Sequence, residues 1–330
     1  MTEDKKVKSP CIGEITGLNQ PVSRLFFGTA IPPVTTDEPG AMSLLDSVLD
    51  AGVNAFDCAR SYGHAEEVLG RWMEDRRCRN RVSVLTKCGD IQAGKVLVNR
   101  QVILEQLSRS LDALRTDCID IYLLHRDDPN TPLEEYIETL NEIKESGRIR
   151  IFGVSNWTVE RIAAANQVAV SRGLSGFSVS SPNYSLAVQM QDPFGGGCVT
   201  LSGSENRAAR SWYMDNGMPV IAYSGLARGF LSGRFRSGEI GKARQVLDSF
   251  AQKGFLYEEN MKRLARAEQL AGRLGISVPE VGMRYLFSTQ MNLFAVVSTR
   301  SADRLKMNLN AAAHPLTDEE VSFLEDGNGF

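Results

Sequence analysis

Four residues combine a proton-carrying side chain with a place at or just past the end of an apolar segment. Asp57 closes Val53-Asn54-Ala55-Phe56, and Tyr62 follows on the next turn, just before Gly63. Lys87 closes Val82-Ser83-Val84-Leu85-Thr86, and His125 closes Ile119-Asp120-Ile121-Tyr122-Leu123-Leu124. A free phenol titrates near pH ~10, too high for efficient proton donation at neutrality. An ammonium beside it favours the phenolate and lowers that value, and Lys87 is placed to supply one. Asp57 would hold the ammonium charged and oriented, and His125 would hydrogen-bond a substrate oxygen. Such a set suits protonating an oxygen as negative charge builds on it. It suits acyl transfer poorly, because no Ser or Cys nucleophile stands in a recognised setting. Taken singly, Asp57 also reads as a structural acid or helix N-cap, Tyr62 as a packing residue and His125 as a satisfied core histidine. Lys87 is harder to explain by packing, since lysine is rarely buried unpaired. Together, in chain order, the four are far more specific than any one of them.

The elements that must position them alternate along the chain. Strands are expected at 24–27, 53–57, 82–87, 119–125, 149–154, 177–181, 219–223 and 293–298. Helices are expected at about 39–51, 64–75, 101–115, 133–146, 158–172, 207–216, 258–274 and 301–309. A last helix near 317–325 opens with the capping-box pattern Thr317-x-x-Glu320. Several strands are continuous apolar runs, as parallel strands buried on both faces require. Eight strand–helix units give an α/β fold, a closed (β/α)8 TIM barrel in one domain over residues 1–330. A short N-terminal β-hairpin is expected within residues 7–22. A doubly wound open sheet is the weaker alternative, since no GxGxxG follows the first strand. Two long connections, 187–205 and 226–257, follow strands. They should lie on the C-terminal rim, where barrel enzymes bind substrate.

The 330 residues carry a formal net charge of −3, with nothing to suggest nucleic acid or a membrane surface as the partner. The polar start, Met1-Thr2-Glu3-Asp4-Lys5-Lys6, has no apolar signal-peptide core. No run approaches the ~20 apolar residues of a membrane span. Six cysteines lack CxxC spacing and read as reduced thiols, so a cytoplasmic location is expected. Three scattered histidines make no zinc motif, and no metal site is expected. Strand alternation points Cys58 and Cys88 away from Asp57 and Lys87, into the core.

Several stretches together resemble the aldo-keto reductase family. They are Gly28-Thr29, Asn54-Ala55-Phe56-Asp57 with Ser61-Tyr62-Gly63, Leu85-Thr86-Lys87, Leu123-Leu124-His125, Gly153-Val154-Ser155-Asn156-Trp157, Ala222-Tyr223-Ser224, and Ser298-Thr299-Arg300 with Arg304-Leu305 and Asn308. The resemblance covers nearly the whole chain. It implies a barrel that uses NADPH, with NADH possible, and no Rossmann fold. It implies that Tyr62 is the general acid, tuned by Lys87, that Asp57 pairs with Lys87, and that His125 orients the carbonyl of a small-molecule aldehyde or ketone. Ser155, Asn156 and the residue at Ser181 would contact the nicotinamide carboxamide, and Tyr223 would stack on the ring. Gly28, Thr29, Ser224 and Leu226 belong with the cofactor-binding positions. Ser298, Thr299, Arg300, Arg304 and Asn308 would hold the adenosine phosphate. Hydroxyls, backbone N–H groups and guanidinium charge at a helix N-terminus suit that task.

The chain departs from the family at three places. Serine stands at 181 where Gln is usual, the Pro-Gly or Lys common near Val297-Ser298 is missing, and Met307 replaces an acid. With Phe330 soon after the last helix, no long C-terminal loop is expected over the mouth. Substrate choice would fall to Ala30, Ile31, Trp157, Tyr184 and the glycine-rich insertion. The resemblance also admits a cofactor-binding, redox-sensing regulatory subunit with little turnover. A metal-dependent hydrolase or sugar isomerase would need clustered ligands, for which only His125 and Asp57 qualify. Oligomeric state is not legible.

Overall fold

The computed structural model describes residues 11–91 and 94–329. It opens with a two-stranded antiparallel ladder, β1 (Ile12–Gly13) and β2 (Val22–Ser23). This is the expected hairpin; its residues 7–10 lie outside the described residues. The alternation then runs β3 (Leu25–Gly28), α1 (Ala41–Asp50), β4 (Ala55–Asp57), α2 (Ala65–Asp75), β5 (Ser83–Cys88) and α3 (Arg100–Leu114). It continues with β6 (Ile119–Leu124), α4 (Leu133–Glu145), β7 (Ile149–Ser155), α5 (Val159–Ser171), β8 (Ser180–Ser181) and α6 (Arg207–Asp215). After β9 (Val220–Ala222) come α7 (Ile240–Val246), α8 (Ser249–Phe255), α9 (Glu258–Leu274) and α10 (Val278–Phe287). The described chain ends with β10 (Leu293–Val297), α11 (Ala302–Ala313) and α12 (Asp318–Asp326). Strands β3 to β10 are all parallel, and β10 pairs with both β3 and β9, which closes an eight-stranded barrel.

Two apolar layers follow from the period-two alternation of strand side chains. Phe26, Ala55, Leu85, Ile121, Leu123, Ile151, Val179, Ile221 and Phe294 fill the barrel interior, and Ile15 and Val22 of the hairpin pack with them. The alternate residues, among them Phe27, Phe56, Val84, Tyr122, Phe152 and Val154, face the helices in a second, larger cluster. Cys58 and Cys88 belong to that outer layer, as strand parity requires. Gly153 is forced by close packing within the wall: a Cβ there would meet the Val179 carbonyl oxygen at 2.0 Å.

Differences from expectation have local causes. Only Ser180–Ser181 of the expected strand 177–181 joins the ladder, because β8 pairs with β9 through a single register match, Ser180 with Val220. The stretch read as irregular, 226–257, contains α7 and α8. Helix α10 lies in a segment where no element is expected from the sequence. Proline is tolerated in a first helical turn, and Ser277 caps the helix by accepting from the Glu280 N–H. The capping box of α12 forms as read: the Glu320 N–H donates to Thr317 Oγ1 and the Thr317 N–H to Glu320 Oε2. Among the described residues, no helix is long and apolar enough to cross a membrane.

Candidate active site

The parity that fills the interior also builds the mouth. In the same inward phase stand Gly28, Asp57, Lys87, His125, Ser155, Ser181, Tyr223 and Ser298, one at or just past the C-terminal end of each of the eight strands. A hydrophobic plug therefore gives way to a polar ring at the strand C-termini. Tyr62 reaches it from the turn after β4. That turn is set by Gly63, whose φ of +58° suits glycine and whose position a Cβ would contest at 2.6 Å from the Thr35 carbonyl oxygen.

The first group is close-knit. Lys87 Nζ donates to Asp57 Oδ1 at 2.5 Å, to the Cys58 carbonyl at 2.8 Å and to Tyr62 Oη at 3.5 Å. An ammonium has three protons and no acceptor, so these contacts exhaust it. The Tyr62 proton therefore cannot point at Lys87 and is left for another acceptor. The Tyr62 ring meets that of His125 edge-on, with centroids 6.0 Å apart. Lys87 and Asp57 are 3% and 4% exposed, while Tyr62 is half-buried.

Burial is the largest influence and works to depress the Lys87 ammonium, but the charge and hydrogen bond of Asp57, with the neighbouring Tyr62 and Cys58, together outweigh it and hold the group above its ordinary range. We take the ion pair as the neutral-pH state, since a neutral Asp57 would forfeit the charge that pays for burying Lys87. Tyr62 departs from expectation. Lys87 does pull its phenol down, but burial, aided by the Asp57 charge, pushes it up to about 12. Tyr62 is accordingly protonated at neutrality. Burial and then the Lys87 charge, opposed by Asp90, lower His125 to about 3 and keep its imidazole neutral.

A second group surrounds Asn156. Its Nδ2 donates to the His125 carbonyl at 3.3 Å and to Ser155 Oγ at 3.0 Å, and its Oδ1 accepts from Tyr223 Oη at 2.7 Å. Ser155 Oγ donates to the Ser181 carbonyl at 2.8 Å. Asn156 and Ser224 hold left-handed backbone conformations, φ +61° and +55°. Non-glycine residues adopt these at a cost and do so preferentially at binding sites. The insertion 187–205 packs onto this group: the Val199 N–H donates to Asn156 Oδ1 at 3.4 Å, and Asn183 bridges to both Thr200 and Tyr223.

A third group lies where β10 meets α11. Ser298 Oγ donates to the Gly28 carbonyl at 2.8 Å, and Thr29 Oγ1 donates to the Asp57 carbonyl at 2.9 Å, so both hydroxyls are used within the wall. Arg300 and Arg304 are exposed at the N-terminus of the twelve-residue α11, and neither has an ion-pair partner among the described residues. Thr299 Oγ1 accepts from the Ser301 N–H. Asn308, one turn further along, is 4% exposed.

The residues fit a long, polar, phosphate-bearing cofactor such as NADPH. Nine buried side-chain polar atoms have no hydrogen-bond partner among the described residues, and two of them belong to residues expected along the cofactor track: Ser181 Oγ, near Ser155, and Asn308 Oδ1, one turn beyond Arg304. Unpartnered buried polar atoms are costly and imply a missing partner. Leu226 is half-buried after β9, close in sequence to Ser224.

Not every expected residue comes to the mouth. Trp157 is 1% exposed and packs edge-on against Tyr136 and Phe177, with ring centroids 5.4 and 5.2 Å away. Tyr184 packs against Tyr285 at 5.8 Å. Both belong to the helix-facing layer: Tyr184 follows the inward-facing Asn183 by one position, and Trp157 follows Asn156, whose left-handed backbone breaks the alternation after Ser155. Ala30 is exposed and Ile31 half-buried on the loop after β3. Conversely, Asp90 and Arg126 were not singled out from sequence. Asp90 Oδ2 lies 3.6 Å from His125 Nδ1 and accepts from Ser61 Oγ at 2.8 Å. The only advance signal was proximity in sequence, three residues past Lys87 and one past His125.

The profile of the aldo/keto reductase family matches residues 24–327, and the chain belongs to that family. It is 25% identical to the aldo-keto reductase str7 of Strobilurus tenacellus, over 96% of this chain and 89% of that protein. It is 28% identical to a probable voltage-gated potassium channel subunit beta of Oryza sativa subsp. japonica, over 91% and 90% respectively. It is also 25% identical to the aldo-keto reductase yakc of Schizosaccharomyces pombe, whose name specifies NADP(+), over 88% and 83%.

Proposed function

We propose that this protein is an NADPH-dependent oxidoreductase that reduces an aldehyde or ketone to an alcohol, with Tyr62 as the general acid. The observation that carries the reading is the Asp57–Lys87–Tyr62 chain of contacts, which leaves a protonated phenol whose proton has no acceptor among the described residues. When bound, the reduced nicotinamide supplies a hydride to the carbonyl carbon. Tyr62 gives its proton to the carbonyl oxygen as that oxygen gains charge. The resulting phenolate lies against the Lys87 ammonium, and Asp57 fixes that ammonium in place. The neutral His125 offers one N–H donor to the same oxygen and orients it. Ser155, Asn156, Ser181 and Tyr223 would hold the nicotinamide end. Gly28, Thr29, Ser224, Leu226 and Ser298 would border the cofactor's path, and Thr299, Arg300, Arg304 and Asn308 would hold the adenosine phosphate. The name of the yakc relative supports NADP(H) as the cofactor.

A second reading has support of its own. The rice relative is named as a channel subunit, and its match spans 91% of this chain. On that reading the protein binds the cofactor, turns it over negligibly and serves as a regulatory subunit. Titration with NADPH and NADH, followed by tryptophan fluorescence, and then a panel of aldehydes and ketones separates the two. Binding with consumption of NADPH supports the reductase. Binding without consumption across the panel supports the subunit, and no binding of either cofactor contradicts both.

A further inference from the structure

We propose that Arg126 is an anion subsite that selects substrates bearing a carboxylate a short distance from the carbonyl. The inference rests on the reductase reading and specifies its substrate class. Arg126 follows His125 directly, yet it is only 6% exposed. Its Nε is 3.4 Å from Asp90 Oδ1 and its Nη1 is 3.2 Å from Cys198 Sγ, while its guanidinium carbon lies 6.0 Å from the centre of the Phe194 ring. The side chain thus runs from the loop after β5 to the insertion after β8.

These partners satisfy the guanidinium poorly. Asp90 is shared: it accepts from Ser61 Oγ at 2.8 Å and from the Ile91 N–H at 2.8 Å, and it lies 3.6 Å from His125 Nδ1. The contact from Arg126 is long for a charge-assisted hydrogen bond. The other partner is a thiol, a weak acceptor, which burial keeps in its neutral form. A guanidinium has five N–H donors in a planar fork that matches a carboxylate's two oxygens. An incoming carboxylate is a far better partner than the Cys198 sulfur it would displace.

Position sets the length of the substrate. His125 and Arg126 flank the same Asp90 carboxylate, one against each oxygen. A carbonyl held by His125 and a carboxylate held by Arg126 are therefore separated by only a few bonds. The chemistry that fits is a short oxo acid, reduced to a hydroxy acid.

The test compares substrates that differ in the carboxylate alone: 4-oxobutanoate against butanal and 5-oxopentanoate against pentanal, each with NADPH and the full chain. In the wild type kcat/KM favours the oxo acid by roughly 10- to 100-fold, the range expected for hydrogen bonds to a charged group, and the preference resides in KM. Arg126→Gln brings the ratio close to one by raising KM for the oxo acid, and Arg126→Lys retains part of the preference. Malonate, a non-reducible dicarboxylate, inhibits butanal reduction competitively in the wild type, which needs no variant. Calorimetric titration with malonate reads the subsite without turnover, and its binding is lost in Arg126→Gln. A wild-type ratio near one, an equal loss for both substrates in Arg126→Gln, or malonate binding unchanged in that variant overturns the anion subsite. Malonate binding that depends on Arg126, without reduction of any carbonyl, upholds the subsite and contradicts the reductase reading instead.

Discussion

At the scale of single residues, the proposed site would solve a proton problem by geometry more than by acidity. Lys87 was expected to make Tyr62 more acidic. Its pull is present, but burial and Asp57 exceed it, and the phenol stays protonated well past neutrality. A protonated acid whose conjugate base would touch an ammonium is still suited to an oxygen that becomes strongly basic during hydride transfer. Reduction should therefore show no loss of rate between pH 6 and 9 from ionisation of Tyr62. A basic limb inside that range that vanishes in Tyr62→Phe would contradict a raised phenol. His125 gives a second pH dependence. Its folded value of about 3 lies below the 6.5 of a free imidazole. Between those values the unfolded chain takes up a proton that the folded chain refuses. The stability tied to the neutral ring is full above pH 6.5 and declines as pH falls toward 3. Denaturation midpoints at pH 7 and pH 5 should differ less for His125→Gln than for the wild type, and equal differences would contradict a buried neutral imidazole.

At the scale of elements, much of the site was legible because strand parity is strict. An apolar run ending in Asp, Lys or His places that side chain two positions beyond a core residue, and Ala55–Asp57, Leu85–Lys87 and Leu123–His125 all obey this. Trp157 and Tyr184, expected at the pocket, are buried against aromatic side chains in the helix-facing layer: Tyr184 is one position off the inward phase, and Trp157 follows the left-handed Asn156, where period two is broken. Asp90 and Arg126 were not legible, since they lie beyond strand ends, where period two no longer applies and loop conformation decides. Helix α10, which carries Pro279 in its first turn, was not read from the sequence. The wall itself can be tested. A methyl at Gly153 meets backbone, not a movable side chain, at 2.0 Å, so β7 and β8 must separate. Gly153→Ala should destabilise the protein by about 1–3 kcal/mol or more in chemical denaturation. It should also weaken cofactor binding, because Ser155 and Asn156 follow on β7; an unchanged midpoint would show that the wall yields freely. Thr317→Ala, which removes the α12 cap far from the mouth, should cost about 1 kcal/mol of stability and leave turnover unaltered.

At the scale of the whole molecule, the barrel brings two proposed functions from distant parts of the sequence onto one rim. The residues proposed for proton transfer come from the first half of the chain, at and after the ends of β4, β5 and β6. The proposed phosphate contacts come from the last strand and α11, and β10 lies beside β3, which brings the ends of the sequence together. Arg304→Ala should therefore weaken NADPH binding by about tenfold or more, as loss of a charge-assisted contact does, and change NADH binding little. Equal weakening of both would show that Arg304 does not read the 2′-phosphate. No sequence pattern reports how the insertion 187–205 sits on Asn156 and Arg126, because contacts between segments that far apart exist only once the barrel has closed.

The most direct test of the central claim is the rate of NADPH consumption by the wild type and Tyr62→Phe on one reducible aldehyde, with cofactor affinity measured in parallel. The account predicts a fall in kcat of about 10²- to 10⁴-fold with NADPH affinity nearly unchanged, because the variant loses only the proton. A variant that turns over at close to the wild-type rate would contradict Tyr62 as the acid and, with it, the reading of the Asp57–Lys87–Tyr62 chain as catalytic machinery.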